Sequence, residues 1–345
     1  MLYHVARPFL FKADAETAHN LSLAALKLAP IPSLGWQSEL LAQTFAGLRF
    51  PNPVGLAPGY DKNADVPFEI LQLGFGFTEV GTLTPRAQEG NPKPRLFRLV
   101  EDEAVINRMG FNNAGQAAAI ERLRNIPAGA LKGPLGINIG ANKDSADRVA
   151  DYVTGVQNME PLADYLTVNI SSPNTPGLRA LQDKAALDDL LLQVMAARKR
   201  DTPVFLKVAP DLQPSDIDDI VAVAMSRGVA ALIVSNTTVS RPALQSRYAR
   251  EQGGLSGAPL RALAQQRLSD FRKASDGKLA LIGVGGIASA QDAYARIRAG
   301  ASLVQIYSAL VYHGPGLARR INKDLQRLLK SDGFSNISDA VGTDG

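Results

Sequence analysis

The chain has 345 residues, 46% of them hydrophobic and 20% charged, which is enough to bury a large core in one barrel-sized unit with an extension. Its net charge is only +4, with basic and acidic residues interspersed, so nucleic-acid binding has little support. There is no cysteine, which excludes disulfides, zinc thiolates, iron–sulfur clusters and cysteine catalysis, and His4, His19 and His313 lack metal-ligand spacing, so no metal site is expected.

In chain order, residues 4–11 and 14–28 read as a short helix, a turn and a longer helix, with Asp14 near the amino end of the second. Ala18, Leu21, Ala25 and Leu28 share a face. No apolar stretch reaches the ~20 residues of a membrane span, and no secretory cleavage pattern is present. Two placements stay open for this segment, residues 1–40. Phe9, Leu10 and Phe11 beside Arg7 and Lys12 suit an interfacial helix with a basic rim, and a helical pair plugging the bottom of a barrel fits equally well.

Eight apolar runs follow, and most close on polar chemistry. The run 52–62 ends in Lys62, 77–82 ends in Thr82, and 135–140 contains Asn138. The run 166–177 delivers Asn169, Ser171, Ser172, Asn174 and Thr175 into a loop broken by Pro173, Pro176 and Gly177. Asparagine pairs a donor with an acceptor and serine adds a hydroxyl, so this cluster suits a flat polar ligand, although the same residues also build ordinary turns. Then come 204–208 with Lys207, 231–238 with Ser235, Asn236 and Thr237, 279–286 with its terminal glycines, and 303–308 with Tyr307 and Ser308. Helix-like stretches at 68–73, 114–124, 187–199, 215–227, 259–274, 290–299 and 317–329 lie between or after them.

Short, continuously apolar strands alternating with helices predict a parallel sheet covered on both faces, and eight of them predict a (β/α)8 TIM barrel over residues 41–330. An open doubly wound sheet is the alternative, but nothing marks a reversal of strand order. In a barrel the active site lies at the carboxyl ends of the strands, where these polar residues fall. Gly283-Val-Gly-Gly286 after the seventh strand and Tyr307-Ser308 after the eighth predict a phosphate site, and Gly253-Gly-Leu-Ser-Gly257 adds a glycine-rich loop on the same rim. Lys62 and Lys207 admit Schiff-base chemistry or service as fixed cations, and the neutral Asn, Ser and Thr around them favour the second. Residues 331–345, rich in Ser, Asp and Gly, are expected to be mobile.

Taken together, Gly55-Leu-Ala-Pro-Gly-Tyr-Asp-Lys62, Ala104-Val-Ile-Asn-Arg-Met-Gly-Phe-Asn-Asn113, Val168-Asn-Ile-Ser-Ser-Pro-Asn-Thr-Pro-Gly177, Ser235-Asn-Thr-Thr238 and the two glycine motifs resemble the class 2 dihydroorotate dehydrogenases, which are membrane-associated and use quinones. The resemblance covers nearly the whole chain. It implies oxidation of dihydroorotate to orotate, a step of pyrimidine synthesis, with one noncovalent FMN per chain and with ubiquinone or menaquinone as final acceptor. Ser172 would be the base, with Thr175 a candidate proton link. Lys62, Asn107, Arg108, Met109, Gly110, Phe111, Asn169, Asn174, Asn236 and Thr237 match substrate positions. Pro58, Gly59, Lys62, Thr82, Asn138, Asn169, Lys207, Ser235, Gly257, Gly286, Tyr307 and Ser308 match flavin positions. His19, Arg98 and Tyr307 match a quinone tunnel. Pro58, Tyr60 and Ser235 depart from the family pattern without removing chemistry, since the first acts through its backbone and the last keeps a hydroxyl. The resemblance implies membrane association, and a start at Met1 without a transit peptide or anchor favours a bacterial protein held peripherally on the cytoplasmic face of the inner membrane. A dihydrouridine synthase would need a cysteine acid and tRNA contacts, and this chain has no cysteine. A Schiff-base lyase and a catalytically dead binding barrel are the other classes.

Overall fold

The structure, a computed structural model, describes residues 2–28 and 38–344. Residues 29–37, which join the amino-terminal segment to the rest, lie outside the described residues, as do Met1 and Gly345. The elements in chain order are α1 (Leu2–Leu10), α2 (Ala15–Leu28), β1 (Gln43–Phe45), β2 (Leu48–Phe50), β3 (Val54–Leu56), α3 (Pro67–Gln72), β4 (Phe77–Leu83), β5 (Leu96–Leu99), β6 (Ala104–Asn107), α4 (Gly115–Arg124), β7 (Leu135–Ile139), α5 (Arg148–Met159), β8 (Tyr165–Asn169) and α6 (Lys184–Ala197). They continue with β9 (Val204–Val208), α7 (Pro214–Ser226), β10 (Ala231–Val234), β11 (Gly254–Gly257), α8 (Arg261–Ala274), β12 (Leu281–Val284), α9 (Ala290–Arg298), β13 (Ala301–Ile306), α10 (Ser308–His313) and α11 (Leu317–Ser331).

β3, β4, β7, β8, β9, β10, β12 and β13 pair in parallel and close on themselves, β13 against β3, as the expected (β/α)8 barrel. Every residue of β7, β8 and β9 is buried, because helices cover one face and the barrel interior the other. The helices bury one stripe each: α11 sinks Leu317, Ile321, Leu325 and Leu329 at a spacing of four and leaves Arg319, Lys323 and Arg327 in water. Inside the barrel, Tyr165 stacks on Phe205 with ring centroids 4.4 Å apart. Gly55 makes room for the Phe77 ring and Gly136 for that of Tyr165, since a Cβ would lie 2.3 Å from the first and 2.1 Å from the second.

The bottom of the barrel is closed by the antiparallel β1–β2 hairpin, whose Phe45 and Phe50 meet Phe205 and Phe77 edge-on. The two amino-terminal helices therefore do not plug the bottom. They cover the opposite face: the Tyr3 hydroxyl donates to the Val311 carbonyl at 2.6 Å, Arg98 donates to the Leu10 carbonyl at 3.1 Å, and Ser22 bonds Tyr60 at 2.9 Å. Asp14 caps α2, accepting from the Thr17 amide at 2.9 Å. Glu16 anchors that helix through two hydrogen bonds from buried Arg95, at 2.7 and 3.0 Å.

Three features depart from expectation. A small antiparallel sheet, β11-β6-β5, stands at the rim, and Gly254–Gly257 is one of its strands where a loop was predicted. α5 occupies a stretch for which no helix was predicted. The tail expected to be mobile is packed: Ile337 and Ala340 are fully buried, and the Asn336 amide donates to the carbonyls of Glu39 and Ala42. Arg298 pairs with Asp332 and Asp344 as well, so a few apolar and charged residues pin this polar segment, a signal that composition averages away.

Candidate active site

The carboxyl ends of the barrel strands, the rim sheet and α1–α2 enclose one cavity of about 780 Å³, within the usual range for ligand sites. Its walls bring together Pro58, Gly59, Lys62, Thr82, Asn107, Met109, Gly110, Phe111, Asn169, Ser172, Asn174, Lys207, Ser235, Asn236, Thr237, Gly257, Gly286, Tyr307 and Ser308. His19 and Arg98 line the same space toward α2. Ser172 is buried after β8, and its Oγ accepts the Asn174 amide at 3.2 Å. The Asn174 side chain donates to Asn107 Oδ1 at 3.2 Å, tying this loop to β6. Arg179 clamps the loop from behind, donating to the Ser171 and Thr237 carbonyls, each at 3.1 Å, while its charge is met by Asp211 at 3.0 Å.

Burial shapes the charges. Lys62, its ammonium on the Gly59 carbonyl, is pushed down to about 8 by desolvation, opposed by the negative charge of Glu16. Lys207 is lowered by desolvation as well, against the pull of Glu79. His19 falls to about 3 through burial and the nearby Lys62 cation, so it stays neutral at physiological pH and packs edge-on against Tyr60, ring centroids 5.3 Å apart. Burial also raises the Tyr307 hydroxyl, which donates to the Gly59 carbonyl at 3.3 Å. Arg98 reaches the carbonyls between α1 and α2 and lies 4.8 Å over the Phe11 ring.

Two expected residues stand off the cavity. Arg108 turns to Glu251 at 2.7 Å and lies 4.6 Å over the Phe97 ring. Asn138 sits one layer behind, accepting the Thr82 hydroxyl at 2.6 Å. Among the described residues the buried Thr175 hydroxyl has no hydrogen-bond partner, so it makes no link to Ser172. Sequence reasoning missed Arg95, Arg179, Asp211 and Glu79. Charged residues within loops and apolar strands look like surface positions until the fold buries them, and only the Glu16–Arg95 and Arg179–Asp211 pairings reveal the reason they are tolerated.

A family model described as dihydroorotate dehydrogenase matches residues 40–329. The chain belongs to the dihydroorotate dehydrogenase family. Relatives named dihydroorotate dehydrogenase (quinone) include one from Sphingopyxis alaskensis, 65% identical over 99% of this chain and 96% of its own length. Another, from Erythrobacter litoralis, is 61% identical over the whole of both chains. Among solved structures, DHODH of Eimeria tenella in complex with ferulenol superposes with a TM-score of 0.92 at 41% identity, covering 96% of each chain.

Dihydroorotate dehydrogenases are flavin-dependent. The cavity suits a flavin on two observations. Lys207 is a buried lysine that lines it with no hydrogen-bond partner among the described residues, which suits a ligand edge that gains negative charge. Gly286, with φ of +73°, lies so close to Arg261 that a Cβ would come within 2.5 Å of its backbone, so only glycine fits this turn at the cavity edge.

Proposed function

We propose that both halves of the family's reaction run in this one cavity. The reaction is the oxidation of dihydroorotate to orotate in pyrimidine biosynthesis, with a quinone as electron acceptor. We assign the flavin as FMN, one per chain and noncovalent; when bound, it accepts hydride from dihydroorotate and supplies electrons to the quinone. Gly286 and Ser308, with Gly257, would hold its phosphate through backbone amides and a hydroxyl. Pro58, Gly59, Thr82, Asn169, Ser235 and Tyr307 would line the rest, with Asn138 acting through Thr82, and Lys207 would face the edge where charge develops. Lys62 would pair with the substrate carboxylate, and Asn107, Asn174, Asn236 and Thr237 would bond its ring amides beside Met109, Gly110 and Phe111. Arg108 would act indirectly, by bracing the rim through Glu251. Ser172 would remove the C5 proton and hand its own hydroxyl proton to a water molecule as it does so, because free serine is a poor base near neutral pH.

The observation that carries this reading is the continuity of the cavity. It runs from Ser172 past Lys207 to the groove lined by Ala18, His19 and Ser22 of α2, with Arg98 and Tyr307 along the way. A lipid-soluble quinone would enter there. Phe9 and Leu28 are 70% and 84% exposed, and Lys12 lies over the Phe9 ring, exposed apolar side chains with a basic neighbour of the kind that rests on a bilayer. Among the described residues no helix is long and apolar enough to cross a membrane. We propose that the protein is peripheral, with these apolar side chains on the bilayer, and we assign it to the cytoplasmic face of a bacterial inner membrane.

The test is spectroscopic. Purified protein should be yellow, should release FMN on denaturation, and should bleach when mixed anaerobically with dihydroorotate. Ser172→Ala should keep orotate binding and slow that bleaching by about 10²- to 10⁴-fold, the usual worth of a positioned base. Folded, colourless protein that cannot be reconstituted with FMN would overturn the reading, and bleaching of the variant at the parental rate would remove Ser172 from the role of base.

A further inference from the structure

Glu79 is a fully buried carboxylate inside the barrel with no ion pair among the described residues. Such a group is tolerated only where donors surround it. Three converge on it: Asn138 Nδ2 at 2.7 Å, Gln305 Nε2 at 2.6 Å and the Tyr165 hydroxyl at 3.3 Å. A carboxylate only accepts, so the Asn138 amide must turn its NH2 toward Glu79 and its carbonyl toward the site. That carbonyl then accepts the Thr82 hydroxyl at 2.6 Å and the Asn169 NH2 at 3.2 Å. With its NH2 committed, Asn169 turns its own carbonyl outward, where it accepts the Ser171 hydroxyl at 3.0 Å and the Ser171 amide at 3.3 Å. Ser171 Oγ in turn accepts the Asn236 NH2 at 2.9 Å. Each orientation in this series dictates the next, and the series ends beside Ser172.

We infer that Glu79 is a positioning residue that sets the donor and acceptor polarity of the active site from a place the ligands do not reach. The inference rests on the functional reading above. Glutamine at this position has one acceptor oxygen in place of two, and its NH2 would confront the NH2 of Asn138 or Gln305. If Asn138 turned over, its NH2 would meet that of Asn169, and reversal would spread to the loop that carries Ser172.

A swap tests polarity apart from packing. In the holoprotein, Glu79→Gln should weaken orotate binding about tenfold to hundredfold, read from the perturbation of flavin absorbance, in keeping with reversed or unmade buried hydrogen bonds. Asn138→Asp alone should also weaken it, by setting two carboxylates side by side. The double variant should recover most of the affinity, because the carboxylate introduced at position 138 accepts what the Asn138 carbonyl accepted and the amide introduced at position 79 donates to it. Parental affinity in Glu79→Gln, or a double variant no better than the singles, overturns the inference. Should the single variants fail to fold, a folded double variant with near-parental affinity supports it and one without overturns it. Wild-type holoprotein that cannot bind orotate would remove the functional reading, and this inference with it.

Discussion

Lys62 stands in the loop after the first barrel strand with its ammonium on the Gly59 carbonyl and its pKa drawn down to about 8 by burial. The direction has a consequence for binding. If Lys62 pairs with the substrate carboxylate, the ammonium form must be present, and binding then draws a proton onto the lysine. Orotate affinity should be level below pH 8 and fall by about tenfold per unit above it, until the pKa of the complex is reached. Titration of the holoprotein with orotate across pH 6 to 10 measures this. Lys62→Arg should erase the break near pH 8, because guanidinium does not titrate in that range. A break that persists in the variant would assign the titration to another group.

Among the elements, α1 and α2 differ most from the rest of the fold. They are pinned at a few points, by Glu16 on Arg95, Ser22 on Tyr60 and Tyr3 on Val311, and they leave Phe9, Leu10, Leu21 and Leu28 in solvent. Elsewhere among the described α-helices such exposure is confined to single residues, Phe68, Leu192 and Met225, each on a different helix. If these side chains meet lipid, Phe9→Ser combined with Leu28→Ser should reduce cosedimentation with liposomes and slow reduction of a long-tail quinone. Flavin reduction by dihydroorotate should continue at the parental rate, because neither residue lines the cavity. Equal liposome binding by the variant and parent would show that this face serves another purpose. The rim sheet is the second distinctive element: Tyr312 donates to the Leu99 and Ala104 carbonyls at 3.2 and 2.6 Å, fastening β5 and β6 to the helix after the last strand.

For the molecule as a whole, closure is completed by segments that are neither strand nor helix of the barrel. Ile337 packs in the same apolar cluster as Leu41 and Leu325, so the two ends of the barrel sequence meet there. Ile337→Ala should cost about 2–5 kcal/mol, the range for truncating a buried aliphatic side chain, measured as a shift in urea unfolding of the holoprotein. A change within about 0.5 kcal/mol would be that of a surface position and would mean the tail contributes little to stability.

The alternation of eight apolar runs with helical stretches was legible along the chain because a strand buried on both faces reads as continuous hydrophobicity, and that periodicity needs no tertiary context. The polar loop at 169–175 and the glycine motifs were legible for a similar reason: residues that a core rejects announce themselves at strand ends. Other features arose only when the barrel closed. Glu79 sits in an apolar run where its neighbours in sequence say nothing of Asn138 or Gln305, 59 and 226 residues away. The rim sheet joins β6 to β11 across some 150 positions, with Ala104 opposite Gly257. The side of the barrel on which α1 and α2 settle depended on Arg95, Arg98 and Tyr60 being gathered at one end. Local pattern is written in the chain, whereas partners distant in sequence are chosen by the fold that brings them together.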